Sequence, residues 1–365
     1  MRRALWLAPV AALLVTFARS LRQPDPWAAT QAMFTCDIAP KRCGFGQALA
    51  WLHIPVGHFA VYAAVSTALL CLVVLVYGLA LARSGLARSA AGLIMIGSLA
   101  ASYGFGVFIA LNGSLDLPMA LLAAASFLVR GRFQVAVVAI CAVIGVLVHE
   151  AYLVIFLPAT VLPLVLRAER ARDWIAPVAV VGAGVLVAGL CALGRPLSPA
   201  QAAQALKLLQ ARADFPLEPY GFAILRRSLS DNLAMMADIG RTHWFWSLQL
   251  ANAMLLLPVA GLFLTVVCLG WRAPAVAKLA AVATAFTPLA MNLLGYDVLR
   301  WGGLSILTMG LSLAALSARY GAPLLRSPLF AGVAAMFAVI PLLLPAPYSH
   351  QAGAPQEVQA ILQRS

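Results

Sequence analysis

Three polar interruptions break an otherwise hydrocarbon-like sequence. His149-Glu150 lies in GVLVHEAYLVIFLP, Asp297 and Arg300 lie in GYDVLRW, and Asn112, Ser114 and Asp116 lie in LNGSLDLP. Ionisable groups in apolar surroundings are costly and therefore mark functional candidates. Glu150, desolvated beside lipid, is expected to have a raised pKa suited to general acid or base chemistry. His149 can share that role or hold a phosphate when protonated. Arg300, joined by Arg226 and Arg227 from a separate segment, offers guanidinium forks that match phosphate oxygens. Asp297 would orient Arg300 or act as the base itself, and Asp116 is a substrate-binding candidate. Each residue also has a structural reading. His149-Glu150 can cap two helices at a tight turn, and Asp297 and Arg300, three apart, can form an ion pair beside Trp301. Asn112-Gly113-Ser114 makes a good turn, and Asp116 can cap a helix N-terminus. No one motif is specific. If all three interruptions open on one side of a membrane, they can build one site.

Composition fixes the class of element that must carry them. The 365 residues are 63% hydrophobic and 10% charged, with a mean hydropathy of +0.94. A soluble domain carries about 25% charged residues. The chain reads as an all-α, polytopic membrane protein. The formal charge of +13 comes mostly from arginines between apolar runs, where basic residues orient helices, so nucleic acid is not the expected partner.

Apolar runs suggest about eleven spans, near 4–18, 57–82, 90–111, 116–129, 133–148, 151–166, 175–194, 246–270, 275–293, 302–318 and 328–345. Residues 1–347 read as one integral membrane domain, and 348–365 as a flexible polar tail. The first run, after Met1-Arg2-Arg3, reads as an uncleaved anchor. With the N-terminus in the cytoplasm, the cytoplasmic connections hold Arg83/Arg88, Arg130/Arg132, Arg167/Arg170/Arg172, Arg272/Lys278 and Arg319/Arg326. The short outer connections at 112–116 and 149–150 hold no basic residue and 295–301 holds one, which is the asymmetry expected of loops on opposite sides. The stretch 133–166 has no turn residues at HEAY. As one helix it would be about 50 Å long, against a hydrocarbon core of about 30 Å, so two short spans meeting at His149-Glu150 are expected.

Two long segments then lie outside the cytoplasm, 19–56 and the mostly helical 195–245. The first holds Cys36 and Cys43, close enough to pair as a disulfide in an oxidising compartment. In the second, Ser198-Pro199 marks a helix start. Ala202, Leu206 and Leu209 recur on one face, as in a helix lying on the membrane surface. A further helical stretch follows DFPLEP, with Phe222, Leu225 and Leu229 on one side and Arg226-Arg227 exposed. Trp244, Phe245 and Trp246 mark the membrane interface. His53 and His58 lack a third partner at metal-like spacing, so no metal site is expected, and no cofactor motif appears.

The HE pair at a span end (His149-Glu150), the D-x-x-R-W pattern (Asp297, Arg300, Trp301) and the large outer loop resemble bacterial exopolysaccharide and O-antigen polymerases and the related GT-C glycosyltransferases. The resemblance implies sugar transfer from polyprenyl-linked donors outside the cytoplasm. The topology points the same way, because nucleotide sugars are absent there and no phosphate-binding Gly-rich loop is present. One departure is the lack of a D-x-D or D-x-E pattern near Asp25 and Asp37, which favours an arginine-assisted mechanism over a metal-dependent one. The expected setting is the bacterial inner membrane. The expected partners are a lipid-linked saccharide, membrane lipids and other envelope-assembly proteins. Two other classes remain open, a multi-pass transporter or flippase and a non-catalytic subunit that docks a partner.

Overall fold

The computed structural model describes residues 2–38, 42–193 and 197–324, with Pro355, Val358 and Ile361 beyond them. The expected span at 328–345 lies outside the described residues, as does nearly all of the tail. The described chain is helical and contains no strand. In order, the helices are α1 (Arg2–Ser20), α2 (Pro26–Ala32), α3 (Gly44–Trp51), α4 (Phe59–Ser84), α5 (Ala90–Ala101), α6 (Tyr103–Ala110), α7 (Asp116–Ser126), α8 (Gln134–Val148), α9 (Tyr152–Ile155), α10 (Leu157–Val165), α11 (Ile175–Leu193), α12 (Pro199–Gln210), α13 (Pro219–Arg226), α14 (Leu229–Ile239), α15 (His243–Gly270), α16 (Ala275–Phe286) and α17 (Val298–Tyr320).

Among the described residues six helices are long and apolar enough to cross a membrane, or seven if the α5–α6 pair, bent by 50° at Ser102, counts as one span. Three apolar elements are shorter: Pro9–Ser20, Asp116–Ser126 and Tyr152–Val165. The 11 residues of α7 rise only about 17 Å, roughly half the thickness of a hydrocarbon core. Large apolar side chains on the outside, such as Leu75, Ile140, Val185, Leu186 and Leu257, are exposed, as lipid-facing helices require.

Helix α17 is the axis of the bundle. In its most apolar stretch 94% of residues are buried, against 17–39% in the other long helices. Small residues let its neighbours close in. A Cβ on Gly303 would lie 2.7 Å from the Gly104 carbonyl oxygen of α6. The break at Ser102, whose hydroxyl accepts from the Phe105 N–H, sets Gly104 against that surface. Two side chains bridge helices at the axis: Thr308 donates to the Ala285 carbonyl of α16, and Tyr77 of α4 donates to the Leu307 carbonyl.

The basic connections gather at one end. Arg130 donates to the Arg83 carbonyl, Arg83 to the Leu128 carbonyl and Arg319 to the Leu166 carbonyl, with Glu169 paired to Arg319. Arg167, just past α10, binds the Gln134 side chain at the start of α8. The chain therefore reverses between these helices, at His149-Glu150. A continuous helix would hold residues 134 and 167 about 50 Å apart.

The opposite end carries a helical layer made by the two long segments. The capping box at Ser198 and Gln201 starts α12. Its apolar face does not lie on a membrane surface, because Ala202 and Leu209 pack with Ala29, Met33, Phe34, Leu49, Phe215 and Phe222 in a second core. Residues of the first long segment, more than 150 positions earlier in the chain, cover that face together with Phe215 and Phe222. The stretch after DFPLEP is two helices. Ser228 opens α14 through a second capping box with Asp231, which rotates Leu229 outward, where it is exposed. Phe222 and Leu225 stay buried. Asp214 ties this layer to the bundle, accepting from the Phe59 N–H at the start of α4 at 2.8 Å and lying 3.2 Å from His58 Nδ1.

Candidate functional site

The interruption residues gather at this covered end in two groups. The first is centred on Arg300, in the first turn of α17. Its Nε donates to Asp116 Oδ2 at 2.7 Å and its Nη2 to Asp116 Oδ1 at 2.8 Å. A third bond runs from Nη1 to Asp297 Oδ2 at 3.2 Å. Ser114 Oγ is 3.3 Å from Asp116 Oδ2, and the guanidinium stacks 4.7 Å over the Trp301 ring. The Arg300 side chain is 7% exposed and that of Asp116 0%. A helix N-terminus favours a carboxylate and disfavours a cation. Asp116 therefore suits the first turn of α7, whereas Arg300 at the start of α17 depends on its two carboxylates.

The turn before α7 serves this pair. Gly113 adopts φ 89°, which a residue with a side chain rarely does. The Asn112 Nδ2 donates to the Arg22 carbonyl and to Thr67 Oγ1. It pins the turn between the end of α1 and α4.

The second group surrounds the break between α8 and α9. His149 ends α8 in an extended conformation. Its Nδ1 accepts from the Ala151 N–H at 3.0 Å and lies 3.4 Å from Glu150 Oε2. Glu150 receives Arg42, from Nη2 at 2.7 Å and Nε at 3.1 Å. Arg42 belongs to the loop that the Cys36–Cys43 disulfide closes, with Cα atoms 4.9 Å apart. The two groups share one electrostatic neighbourhood: His149 feels Arg42, Glu150, Arg300 and Asp116.

These contacts reverse one expectation. Burial alone would raise the Glu150 carboxyl, but Arg42, with His149 beside it, outweighs burial and holds it below the ordinary carboxylate range. Glu150 is therefore an ionised, paired carboxylate. Burial first, and Arg42 second, pushes the His149 imidazole down to about 3, so His149 is neutral near pH 7 and cannot hold a phosphate as a cation. Both shifts favour the folded state at neutral pH. The His149 contribution is complete above about 6.5 and is lost as pH falls toward 3; that of Glu150 is present above 4.5 and is lost below it. The thermal midpoint of the detergent-purified protein is expected to fall between pH 7.5 and 5, and His149→Asn, which keeps an acceptor but cannot titrate, to flatten that slope. An unchanged slope in the variant would assign the acid sensitivity elsewhere.

The remaining candidates are placed differently. Arg226 is exposed at the end of α13. Arg227 is buried, not exposed as its helix face suggested, and donates to Met235 Sδ. Met235 packs with Phe245 and Val298 in a small cluster next to Asp297. Phe245 is buried in the first turn of α15 while Trp246 stays exposed and donates to the Gly240 carbonyl. Among the described residues no group of His, Cys, Asp and Glu could hold a metal ion.

Arg42 is the residue that sequence reasoning passed over. Its signal was available: a Lys41-Arg42 pair in a segment assigned to the side poor in basic residues, where a cation needs a reason. Comparison with known proteins finds no family that matches this chain and no curated protein or solved structure similar to it.

Proposed function

We propose that this protein is an inner-membrane enzyme of bacterial cell-envelope polysaccharide assembly, transferring glycans from polyprenyl-linked donors at the extracytoplasmic face. In this reading the N-terminus and the arginine-bearing end are cytoplasmic, and about eleven segments, including half-length ones, make up the membrane domain. The observation that carries it is the buried Asp116–Arg300–Asp297 group, at the same end of the bundle as the Arg42–Glu150 pair, whose carboxylate is 43% exposed, and away from the arginine connections. Buried charge in a membrane protein marks a substrate path. A disulfide at the same end fits an oxidising compartment. Lipid-linked donors are the activated sugars available on that side.

The mechanism assigns Arg300 and its carboxylates to fixing the geometry of the site. Glu150, ionised and half-exposed, accepts a hydrogen bond from the acceptor hydroxyl and orients it, with His149 as its neutral neighbour. The acceptor oxygen bonds the anomeric carbon as the bond to the lipid phosphate breaks, and the departing phosphate takes the proton, because a carboxylate held this far below neutral pH is a weak base. Deleting the gene should cause lipid-linked glycan intermediates to accumulate. Glu150→Gln should reduce polymer about 100-fold, the scale of loss that a misplaced reactant causes, with the amount of protein in the membrane unchanged. Normal polymer in Glu150→Gln would remove Glu150 from the chemistry.

The α5–α6 bend favours a second reading, a transporter or flippase, since broken helices line transport sites. Uptake of a lipid-linked saccharide by proteoliposomes, without any change in its glycan, would select it. A docking subunit would instead tolerate Glu150→Gln and fail on changes within 195–245.

A further inference from the structure

Three features of the outer layer converge on one guanidinium. Arg42 immediately precedes Cys43, half of the disulfide, and the Cys36 N–H donates to Gln47 of α3 at 3.1 Å, so both ends of the loop are tied to α3. Gly44, the first residue of α3, rests on the end of α8. A Cβ there would lie 2.8 Å from the Leu147 carbonyl and 3.0 Å from the Val148 nitrogen, two residues from the helix break. Arg42 itself sits at φ 61°, a conformation that a residue with a side chain holds when its surroundings impose it. The product of this arrangement is the fork on Glu150, in which the arginine is 15% exposed and the carboxylate 43%.

We infer that Arg42 is a positioning residue for the candidate site, clamped onto Glu150 by the Cys36–Cys43 loop so that the carboxylate keeps one orientation at the α8–α9 break. This rests on the proposed glycan chemistry for its effect on activity, not for the clamp itself. Surface ion pairs are weak because two flexible side chains lose entropy when they meet. Here the short closed loop and the Gly44 seat have already restricted the arginine, so little more is lost on pairing. The other groups near Glu150 are His149, at 3.4 Å, and Cys191 of α11, which feels its charge. Neither is a cation at neutral pH, so among the described residues Arg42 is the cation set against the carboxylate from outside the helix break.

The test uses the full chain in detergent and a hydrophobic carbodiimide, which reacts with protonated carboxyls in apolar surroundings, with labelling of Glu150 read by peptide mass spectrometry. The oxidised wild type should resist labelling at pH 7. Arg42→Gln, the Cys36→Ser/Cys43→Ser pair, and wild type reduced by a dithiol reagent should each label at least about tenfold more, the change that one pKa unit makes in the protonated fraction. The pH profile of labelling should move upward with them, and Arg42→Lys should restore most of the protection. The reduced wild type carries no substitution, so it reports even if a variant fails to fold. Equal labelling of the oxidised and reduced wild type, with no change in Arg42→Gln, would overturn the clamp whatever happens to polymer. Increased labelling with polymer intact would support the clamp and overturn the glycan reading instead.

Discussion

Arg300→Ala should destabilise the protein by about 3–5 kcal/mol and strip it from the membrane fraction. The substitution removes three hydrogen bonds from two carboxylates. Asp116, with no exposed surface, would be left with only its contact to Ser114. An unpaired buried charge keeps its full desolvation cost, whereas the pair shares it. The double change Arg300→Met/Asp116→Leu should therefore cost less than Arg300→Ala alone, a non-additivity that thermal midpoints in detergent would reveal. If Arg300→Ala melted within about 1 kcal/mol of wild type, the pair would have to be reached by water. Loss of polymer in Arg300→Ala alone is consequently no evidence of chemistry. Arg300→Lys keeps the charge but cannot form the fork, and it is the better probe of function.

Gly303→Val should be comparably damaging, for a reason that involves no charge. A Cβ at this position would sit 2.7 Å from the Gly104 carbonyl oxygen, and backbone cannot rotate away as a side chain can. Helices α6 and α17 would have to separate, opening the most buried interface of the bundle. Overpacking of this kind costs about 1–3 kcal/mol or more. In a bundle whose helices associate by close packing rather than by expulsion of water, there is little to offset it. Gly182→Ala on α11, where a Cβ meets nothing within 4 Å, is the matched control and should melt as wild type does. Equal midpoints for the two variants would contradict this account of how α17 is held.

Much of the scaffold was legible in the residues. Ten of the expected apolar runs correspond to helices or helix pairs, because apolar runs bounded by arginine or turn residues are a local signal. The reversal at His149-Glu150, without any glycine or proline, followed from comparing 34 residues with the thickness of a bilayer. Ser198-Pro199 was readable because a capping hydroxyl acts within one turn. Two features misled, and hydropathy alone did not separate a half-length helix such as α7 from a full crossing. The apolar face of α12 signalled burial without naming what buries it. Arg227 looked exposed on a helical wheel, but α13 ends at Arg226.

By itself, the sequence determined that the chain is helical and rich in membrane-length apolar runs, and that the few charges breaking into those runs fall at three interruptions. The reason is thermodynamic and local: uncompensated charge in an apolar run is too costly to leave unexplained. Only the tertiary structure decided who compensates whom. Asp116 meets Arg300 across 184 residues and Arg42 meets Glu150 across 108, separations at which no sequence periodicity carries information. Those partners were selected by glycine-lined helix contacts and a disulfide-bound loop. They turned Glu150 from a desolvated acid into a paired carboxylate, and His149 from a possible cation into a neutral cap.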